Sequence, residues 1–446
     1  MRIDAGFAED LIKKARRRGA DLAEVYIKSA AGLSVEVKEQ VVDSLTSSRS
    51  AGYSLRVVKG GRLGFSFATD TGSANRVVDD AVTASESADE DCYADLPGPA
   101  PETHVNVFDP AVDSLTEEDA INRVMDMERA VHAQDGRVRR VRKAMGSFAV
   151  SETVIVNSRS VRVSYKSTSC AAQVTAVAEE AGESQIGWEY DSSRFLGDIA
   201  FAGIGRNAAQ RAVRLLGSRK ISGCKAHVIL DNSVTGEFLG IFASSLSSEA
   251  VQKGKSLLAG RLGSQVVSSK LNLIDSGALP GRAGSSPVDA EGVPTREKVL
   301  IREGVLAAYL YNIYTARRDS VESTGNAVRG GFSSLPSVGV TNLFLDAASE
   351  GHVVQKKRLF MGIDKGLYVV DAMGVHTANP VSGEFSVGVT GMWIEGGELK
   401  HPVKEAVISG NILDFFSRVE SVGDDLRFYG NIGAPSIVIS GVDISG

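Results

Sequence analysis

The sequence predicts an α+β protein. We expect its N-terminal half to consist of helix–antiparallel sheet–helix units, and its C-terminal half to be a strand-rich, mainly antiparallel β domain. In the first half, segments with apolar residues at helical spacing are interleaved with segments in which apolar and polar residues alternate. In the second half, short alternating segments and many of the 47 glycines replace most of the helices.

The first predicted unit covers residues 1–90. It begins with a helix, because Phe7, Leu11 and Ala15 lie on one helical face and Gly19 follows as a stop signal. Alternating segments follow, and the Gly-Gly within "YSLRVVKGGRLGFSFA" predicts a hairpin turn between two strands. The segment "SANRVVDDAVTASESA" predicts a second helix that closes the unit.

A second unit with the same order of elements is predicted over residues 111–222, after a linker at residues 91–110 that is rich in acids, proline and glycine. Its first helix is "TEEDAINRVMDMERAVHAQD", with acidic residues in the first turn, where the helix dipole favours them. Strands are predicted in "SETVIVNSRSVRVSYKS" and "AAQVTAVAEEAGESQIGWEY", and a helix in "GDIAFAGIGRNAAQRAVRLLG". The two units suggest a structural repeat, although their sequences share little.

Residues 223–446 form the predicted strand-rich C-terminal domain. Its exception is one helical region near Thr235–Leu262. The segment "EKVLIREGVLAAYL" predicts an apolar hairpin that turns at Arg302, Glu303 and Gly304.

Composition and charge argue against a nucleic-acid-binding, secreted or membrane protein. The chain has 446 residues, 43% of them hydrophobic, and a net charge of −6, so nucleic acid is not an expected partner. The three cysteines lie far apart, which is typical of free thiols in a reducing compartment. No signal peptide is apparent, and no apolar run approaches the ~18 residues that a membrane span requires. We therefore expect a cytoplasmic protein without membrane association.

Two segments resemble cofactor-binding motifs, but each lacks a feature that the motif requires. "GIGRNA" (Gly203–Ala208) matches a dinucleotide fingerprint, but a helical pattern and not a buried strand precedes it. "GKS" (Gly254–Ser256) has Glu249 where a phosphate loop needs glycine, and neither HExxH nor G-x-S-x-G occurs. The sequence therefore predicts no cofactor-binding, metal-ligating or catalytic residue through a known motif.

Asp289 and Glu291 form the most suggestive pair of acids, within "SPVDAEGVPT". In an extended chain, acids two residues apart point to the same face, so the pair could hold a metal, share a proton or brace a turn. A metal would need further ligands, and none lies at usable spacing nearby. Gly292 and Pro294 impose a turn whose N–H groups an acidic side chain could cap, which favours a structural role.

Several stretches together resemble the PmbA/TldD family of metallopeptidase-related proteins, also known as modulators of DNA gyrase. They include "GADLAEVYI", "SEAVQKGKSLLAGRLGSQVVSSKLNLID", "DAEGVPT", "EGVLAAYLYNIYTARR", "STGNAVRG" and "GNIGAPSIVISGVDISG". In TldD-type members a His-Glu-x-x-x-His segment and a later cysteine form the metal site. Here those positions hold Leu239, Gly240 and Ser244, and no cysteine lies near Ser421–Gly423. The sequence thus resembles the PmbA branch, also called TldE.

The resemblance implies a role in proteolysis of small or unfolded peptides. A TldD-type partner would supply the zinc, and this chain would pair with it, with a copy of itself, or with both. This chain would hold the peptide in a channel, where an extended peptide could add to a strand edge. Candidate channel residues lie in two loops: Asp289, Glu291, Gly292, Thr295, Thr324, Gly325 and Asn326.

Two alternatives remain open from the sequence. The chain could be a self-sufficient peptidase that uses Asp289, Glu291 and either His376 or His401. It could also be a regulatory module that acts on DNA gyrase, although the net charge of −6 does not favour contact with DNA.

Overall fold

The structure, a computed structural model, describes residues 3–446 and confirms the predicted α+β class, with a strand-rich C-terminal part. The helices are α1 (Ala5–Arg17), α2 (Ala74–Glu86), α3 (Pro110–Asp113), α4 (Glu117–Gln134), α5 (Phe201–Arg214), α6 (Asn232–Ala243), α7 (Ser248–Gln252), α8 (Ile313–Asp319) and α9 (Ile412–Ser417).

The strands are assigned to three sheets and a two-stranded ribbon. Those of the N-terminal half are β1 (Leu22–Lys38), β2 (Val41–Lys59), β3 (Arg62–Ala68), β4 (Val138–Asn157), β5 (Arg162–Glu180) and β6 (Glu183–Ser193). Those of the C-terminal half are β7 (Cys224–Leu230), β8 (Leu271–Ser276), β9 (Glu297–Arg302), β10 (Val305–Leu306), β11 (Ala327–Val328), β12 (Ser337–Val338), β13 (Leu343–Ala347), β14 (Val353–Val354), β15 (Lys365–Met373), β16 (Glu384–Glu395), β17 (Glu398–Asn411), β18 (Val419–Gly423), β19 (Arg427–Tyr429), β20 (Ile432–Ala434) and β21 (Ile437–Ser445).

The two N-terminal units share one antiparallel sheet, in the order β3-β2-β1-β4-β5-β6. They join because β1 pairs with β2 on one side and with β4 on the other. The turn between β1 and β2 uses Glu39 and Gln40, both with positive φ and neither a glycine. The buried carboxylate of Glu128 on α4 accepts both of their backbone N–H groups, at 2.8 and 2.7 Å. A contact from the second unit therefore supports the turn of the first.

All four long helices of the N-terminal half cover the same face of this sheet. On β1, Val25 and Ile27 pack with α1 and α2, whereas Val35 and Val37 pack with α4 and α5. These residues are separated by even numbers along the strand, so their side chains point to one face. The other face is left for the C-terminal domain.

The glycines of "GIGRNA" lie inside α5, as the helical pattern predicts. A Cβ atom on Gly205 would lie 2.1 Å from the carbonyl oxygen of Met127 on α4. The glycine therefore allows α4 and α5 to pack closely, and the resemblance to a dinucleotide fingerprint has a structural explanation.

The C-terminal domain contains two sheets with α6 packed between their elements. One sheet has the order β14-β18-β21-β17-β16-β15-β7, and the other β10-β9-β8-β13-β20-β19. Most pairs are antiparallel, with parallel pairs at β7–β15, β13–β20 and β14–β18. Phe238 of α6 contacts Phe385 edge-on, with ring centroids 5.0 Å apart, in the largest hydrophobic cluster.

The helical region predicted at Thr235–Leu262 is shorter in the structure. It is divided into α6 and α7, and helix ends at Gln252. Gly254, Gly260 and Gly263 have positive φ values of 67°, 72° and 79°, a conformation that ends helices and forms turns. The glycines in "KGKSLLAGRLG" were the sequence signal for this break.

The uncovered face of the N-terminal sheet packs on the C-terminal domain. Tyr26, Ile155 and Val163 from the sheet form a buried cluster with Val288. Within residues 3–446, no helix has the length and apolar character needed to cross a membrane.

Candidate functional site

The carboxylate of Asp289 closes the turn in which it lies. Its Oδ1 accepts the backbone N–H groups of Glu291 and Val293 at 2.9 and 3.0 Å, and its Oδ2 accepts that of Ala327 at 3.0 Å. The third bond ties the turn to β11, which is 38 residues further along the chain. Both oxygens are thus engaged by backbone donors, so Asp289 braces two loops.

The protonation of Asp289 is sensitive to this environment. Burial raises the pKa of Asp289 above its usual range, the nearby charge of Glu291 adds to this rise, and the three backbone N–H groups oppose it. The charged form of this carboxyl group is therefore less favourable in the buried turn than in water, and the three N–H donors compensate part of that cost.

Glu291 links the C-terminal domain to the N-terminal sheet. Its side chain is fully buried, its Oε1 accepts from Arg56 Nη1 at 2.9 Å, and its Oε2 accepts the backbone N–H of Ile313 at 2.9 Å. Ile313 is the first residue of α8, where backbone N–H groups lack partners within the helix. One carboxylate therefore holds both the sheet and the start of this helix.

The contact extends into a buried group of four charges that we call the interdomain charge cluster: Glu24, Arg56, Glu291 and Arg329. Arg56 Nη2 donates to Glu24 Oε2 at 2.7 Å, and the other oxygen of Glu24 binds Arg329. The guanidinium of Arg329 also lies over the ring of Tyr26, 4.7 Å from its centroid. Two positive and two negative groups neutralise one another, which makes their joint burial tolerable.

The second predicted loop is anchored in a polar core. Asn326 is fully buried, and its Nδ2 donates to Asp275 Oδ1 at 2.9 Å and to the carbonyl oxygen of Gly339 at 3.0 Å. Its Oδ1 accepts from Lys298 Nζ at 2.9 Å, and Lys298 also pairs with Asp275 at 2.9 Å. Each polar group of Asn326 has a partner, so this side chain fixes the loop.

The threonines of the two loops make similar contacts. Thr295 donates its hydroxyl to the carbonyl oxygen of Ser286, and Thr324 Oγ1 accepts the backbone N–H of Tyr311 at 2.8 Å. Thr295 is buried and Thr324 is half-buried.

The two glycines allow close packing at the junction. Both have positive φ, 87° at Gly292 and 73° at Gly325. A Cβ atom on Gly292 would lie 2.7 Å from Val161 Cγ1 of the N-terminal half, and one on Gly325 would lie 2.5 Å from the carbonyl oxygen of Pro294. The two predicted loops are therefore in direct contact, and each contains a residue for which glycine is required.

The seven candidate channel residues thus gather in one region beside the N-terminal sheet. The five polar side chains among them bind backbone groups and neighbouring side chains, and none of the seven residues is exposed. The two histidines of the self-sufficient alternative make no hydrogen bond or ion pair with Asp289 or Glu291 within residues 3–446. His376 is exposed near the end of β15, and His401 is half-buried on β17. Within the same residues, no group of three or more potential ligands is close enough to hold a metal.

Helix α6 and Ser244, the residue that follows it, hold the positions at which the resemblance would place zinc ligands and a general base. Leu239 is 1% exposed and points into the hydrophobic core. Gly240 has no side chain, and the hydroxyl of Ser244 donates to the carbonyl oxygen of Ile241 at 3.0 Å. Ser421–Gly423 lies in β18 and contains no sulfur ligand. Zinc requires imidazole, thiolate or carboxylate ligands, so these residues do not fit it.

Glu237 is an acid on the same helix that the sequence did not single out. Burial and, to a smaller extent, the charge of Asp371 together raise the pKa of Glu237 to about 7. The indole N–H of Trp188 donates to Asp371 Oδ1 at 2.9 Å, whereas no hydrogen bond within residues 3–446 reaches the carboxyl group of Glu237.

Sequence reasoning also missed Glu24, Arg56 and Arg329. A signal was present for the first two, because each is a charged residue inside an otherwise apolar strand segment, "LAEVYI" and "YSLRVV". Such a charge is buried only when it is paired. Nothing in the sequence identified the partner, since Arg56 and Glu291 are 235 residues apart.

Three models of one protein family match three consecutive parts of the chain. The patterns for domain 1, the central domain and the C-terminal domain of PmbA/TldA metallopeptidases match residues 23–85, 110–216 and 223–446. The last match alone spans half of the chain.

Curated relatives match over nearly the full length. Metalloprotease PmbA homolog of Buchnera aphidicola subsp. Acyrthosiphon pisum (strain APS) is 28% identical, over 95% of this chain and 93% of that protein. Metalloprotease TldD homolog of Haemophilus influenzae (strain ATCC 51907 / DSM 11121 / KW20 / Rd) is 24% identical, over 91% of this chain and 86% of that protein.

A solved structure has the same architecture. The crystal structure of a putative modulator of a DNA gyrase from Thermotoga maritima MSB8 superimposes with a TM-score of 0.91, at 27% identity and with 99% of both chains covered. The pattern matches, the relatives and the shared architecture confirm the resemblance read from the sequence: this chain belongs to the PmbA/TldD family of metallopeptidases.

Proposed function

We propose that this chain is the non-catalytic, TldE-type subunit of a two-chain metallopeptidase that degrades small or unfolded peptides. A TldD-type chain supplies the zinc and the catalytic groups, and this chain shapes the channel and binds the peptide. The assembly works in the cytoplasm. The three cysteines, none of which is in a disulfide, support a reducing compartment.

The main support for this proposal is the set of residues at the expected zinc-site positions in and next to helix α6. Zinc-dependent hydrolysis requires side chains that bind the metal and a carboxylate that takes a proton from bound water. At the corresponding positions this chain has the buried Leu239, Gly240, and Ser244, whose hydroxyl donates a hydrogen bond to the carbonyl oxygen of Ile241. We therefore assign no hydrolytic step to the residues of this chain. A related chain with the same fold, of the kind named TldD, is the natural source of the missing groups.

A free strand edge supports association with another chain. Residues 41–52 of β2 pair with β1, whereas β3 pairs with β2 only from Tyr53 onward. Every side chain from Asp43 to Ala51 is exposed. Within residues 3–446 the second edge of this segment has no strand beside it, so its backbone N–H and C=O groups can pair with a strand of a partner. The partner is a TldD-type chain, or a second copy of this chain where no such chain is present.

The two loops at the domain junction support a role in shaping the channel. Asp289, Glu291 and Asn326 use their polar atoms to hold backbone and neighbouring side chains. Gly292 and Gly325 let the two loops approach each other and the N-terminal sheet. These residues then act as the rigid frame of the channel wall.

Reconstitution tests the proposal. The chain is purified alone and together with a TldD-type chain from the same genome, and cleavage of an unstructured fluorogenic peptide and the zinc content are measured. We expect the mixture to cleave the peptide and to contain zinc, and the isolated chain to do neither. Cleavage by the isolated chain, lost in Glu291→Gln, would support the self-sufficient alternative instead. Salt-sensitive binding to DNA or to DNA gyrase would support the regulatory alternative.

Two neighbouring proline variants test the strand edge. Backbone N–H groups of adjacent strand residues point to opposite sides, and proline has none. Of Ser47→Pro and Ser48→Pro, one removes a donor on the free edge and the other a donor to β1. The variant that keeps native stability should weaken association in sedimentation experiments. If that variant assembles like the parent chain, β2 is not the contact.

A further inference from the structure

A cavity of about 370 Å³ lies where the N-terminal sheet, the connecting segment and two short helices of the C-terminal domain meet. Arg56 and Leu63 line it from the sheet, Ala94 from the connecting segment, and Gln252 and Asn312 from the ends of α7 and α8. The volume falls in the range of about 300–1,000 Å³ that is common for small-molecule sites. None of the seven candidate channel residues lines this cavity.

The side-chain amide of Asn312 has a defined orientation and an unused donor. Its Oδ1 accepts both the backbone N–H and the hydroxyl of Thr315, each at 2.9 Å. Because only the oxygen can accept these bonds, the orientation of the amide is determined. Asn312 is 4% exposed, and within residues 3–446 its Nδ2 donates to no acceptor. A nearly buried donor in a cavity wall requires an acceptor from a ligand or from solvent.

Gln252 supplies the complementary group. Its Nε2 donates to the carbonyl oxygen of Thr315 at 2.9 Å, which determines the orientation of this amide as well. Its Oε1 accepts from no donor within residues 3–446. Asn312 and Gln252 both line the cavity, so its wall holds one free donor and one free acceptor. A peptide group offers the matching pair, a C=O that accepts from such a donor and an N–H that donates to such an acceptor.

The charges around the cavity are balanced. Arg56 is paired with Glu24 and Glu291, and Lys253 is paired with Glu249 at 2.6 Å. Such a wall offers no surplus positive charge for a phosphate and no cluster of acids for a metal ion.

Two further lining residues, Asp91 and Arg318, have no ion pair within residues 3–446, and their charges are opposite. Leu63, Leu335 and Pro336 add an apolar wall. The lining therefore suits a ligand without net charge that carries an apolar side chain.

We propose that this cavity binds a short peptide segment with an apolar side chain, and that Asn312 and Gln252 hold one of its peptide groups. This inference rests on the proposed role of the chain in peptide degradation and assigns it a peptide subsite apart from the channel loops. Binding requires the free Nδ2–H of Asn312 and an open cavity.

Binding of the blocked dipeptide N-acetyl-leucyl-leucinamide to the full-length chain tests the proposal, in a titration followed by ligand-observed NMR. Asn312→Asp keeps the oxygen that caps Thr315 but replaces the free donor with an acceptor, so binding should weaken about tenfold or more. Ala94→Trp fills the cavity from the connecting segment and should abolish binding. Asn75→Asp, at an exposed position on α2, makes the same chemical change elsewhere and should leave binding unchanged.

The outcomes separate this site from the proposed function. Binding that is lost in Asn312→Asp and Ala94→Trp but retained in Asn75→Asp establishes the site, even if no mixture with a TldD-type chain cleaves peptides. Absence of dipeptide binding, or equal binding by all three variants, overturns the site. Cleavage by the two-chain mixture would then still support the subunit role.

Discussion

The guanidinium of Arg56, on β2 of the N-terminal sheet, lies 2.9 Å from the carboxylate of Glu291 in the C-terminal domain. Both side chains are almost completely buried, at 7% and 0% exposure. The second guanidinium nitrogen binds Glu24, directly opposite Arg56 across the β1–β2 pair. The acid that first suggested catalysis is therefore held as one member of a charge cluster that joins the two halves of the chain.

We expect Arg56→Met to destabilise the protein strongly. The substitution leaves Glu24 and Glu291 buried without their shared partner, which costs about 3–5 kcal/mol in comparable cases. Urea unfolding measures the change in the free energy of unfolding.

Arg139→Met is the matched control, because Arg139 lies on β4 of the same sheet, outside the proposed association edge, and is exposed. We expect the control to change stability by less than about 0.5 kcal/mol. Similar stability of the two variants would show that the cluster does not hold the domains together.

We expect Gly325→Ala to destabilise the junction by about 1–3 kcal/mol. The new Cβ atom would lie 2.5 Å from the carbonyl oxygen of Pro294, and the φ of 73° is unfavourable for alanine. Gly331→Ala is the control, since nothing lies within 4 Å of its Cβ position. Thermal unfolding that ranks the two variants equally would contradict the close approach of the two loops.

We expect Glu237→Gln to stabilise the protein at high pH only. The pKa of Glu237 is raised to about 7 from 4.5, mainly by burial and next by Asp371. The folded state therefore binds more protons than the unfolded state between these values, so this carboxyl group lowers stability as pH rises through that window. Glutamine cannot ionise, and the variant loses this part of the pH dependence.

Urea unfolding at pH 5 and pH 8 measures the effect. The gain over the parent chain should be small at pH 5 and approach about 3 kcal/mol at pH 8, the value of a shift of this size. Glu118→Gln, at an exposed position on α4, should leave the profile unchanged. A constant difference at both pH values would show that Glu237 does not titrate in this range.

Local patterns identified the elements whose cause is local. The apolar spacing of Phe7, Leu11 and Ala15 predicted α1, and Gly60 and Gly61, both with positive φ, predicted the β2–β3 turn. The turn at Glu39 and Gln40 had no such signal, because Glu128 from a helix about 88 residues away supports it. The helical region predicted at Thr235–Leu262 ends early, at Gln252. The glycines that follow adopt positive φ, which is incompatible with a continuing helix even where apolar residues have helical spacing.

The sequence by itself determined the α+β class, most element types, the family, and the lack of ligand side chains at Leu239, Gly240 and Ser244, because these depend on residue type and near neighbours. Only the tertiary structure decided that the two N-terminal units share one sheet through β1 and β4, that Glu291 pairs with Arg56, and that a cavity opens beside Asn312. Each of these depends on contacts between residues far apart in the chain, and no local pattern encodes which distant partner a buried charge or a free strand edge will meet.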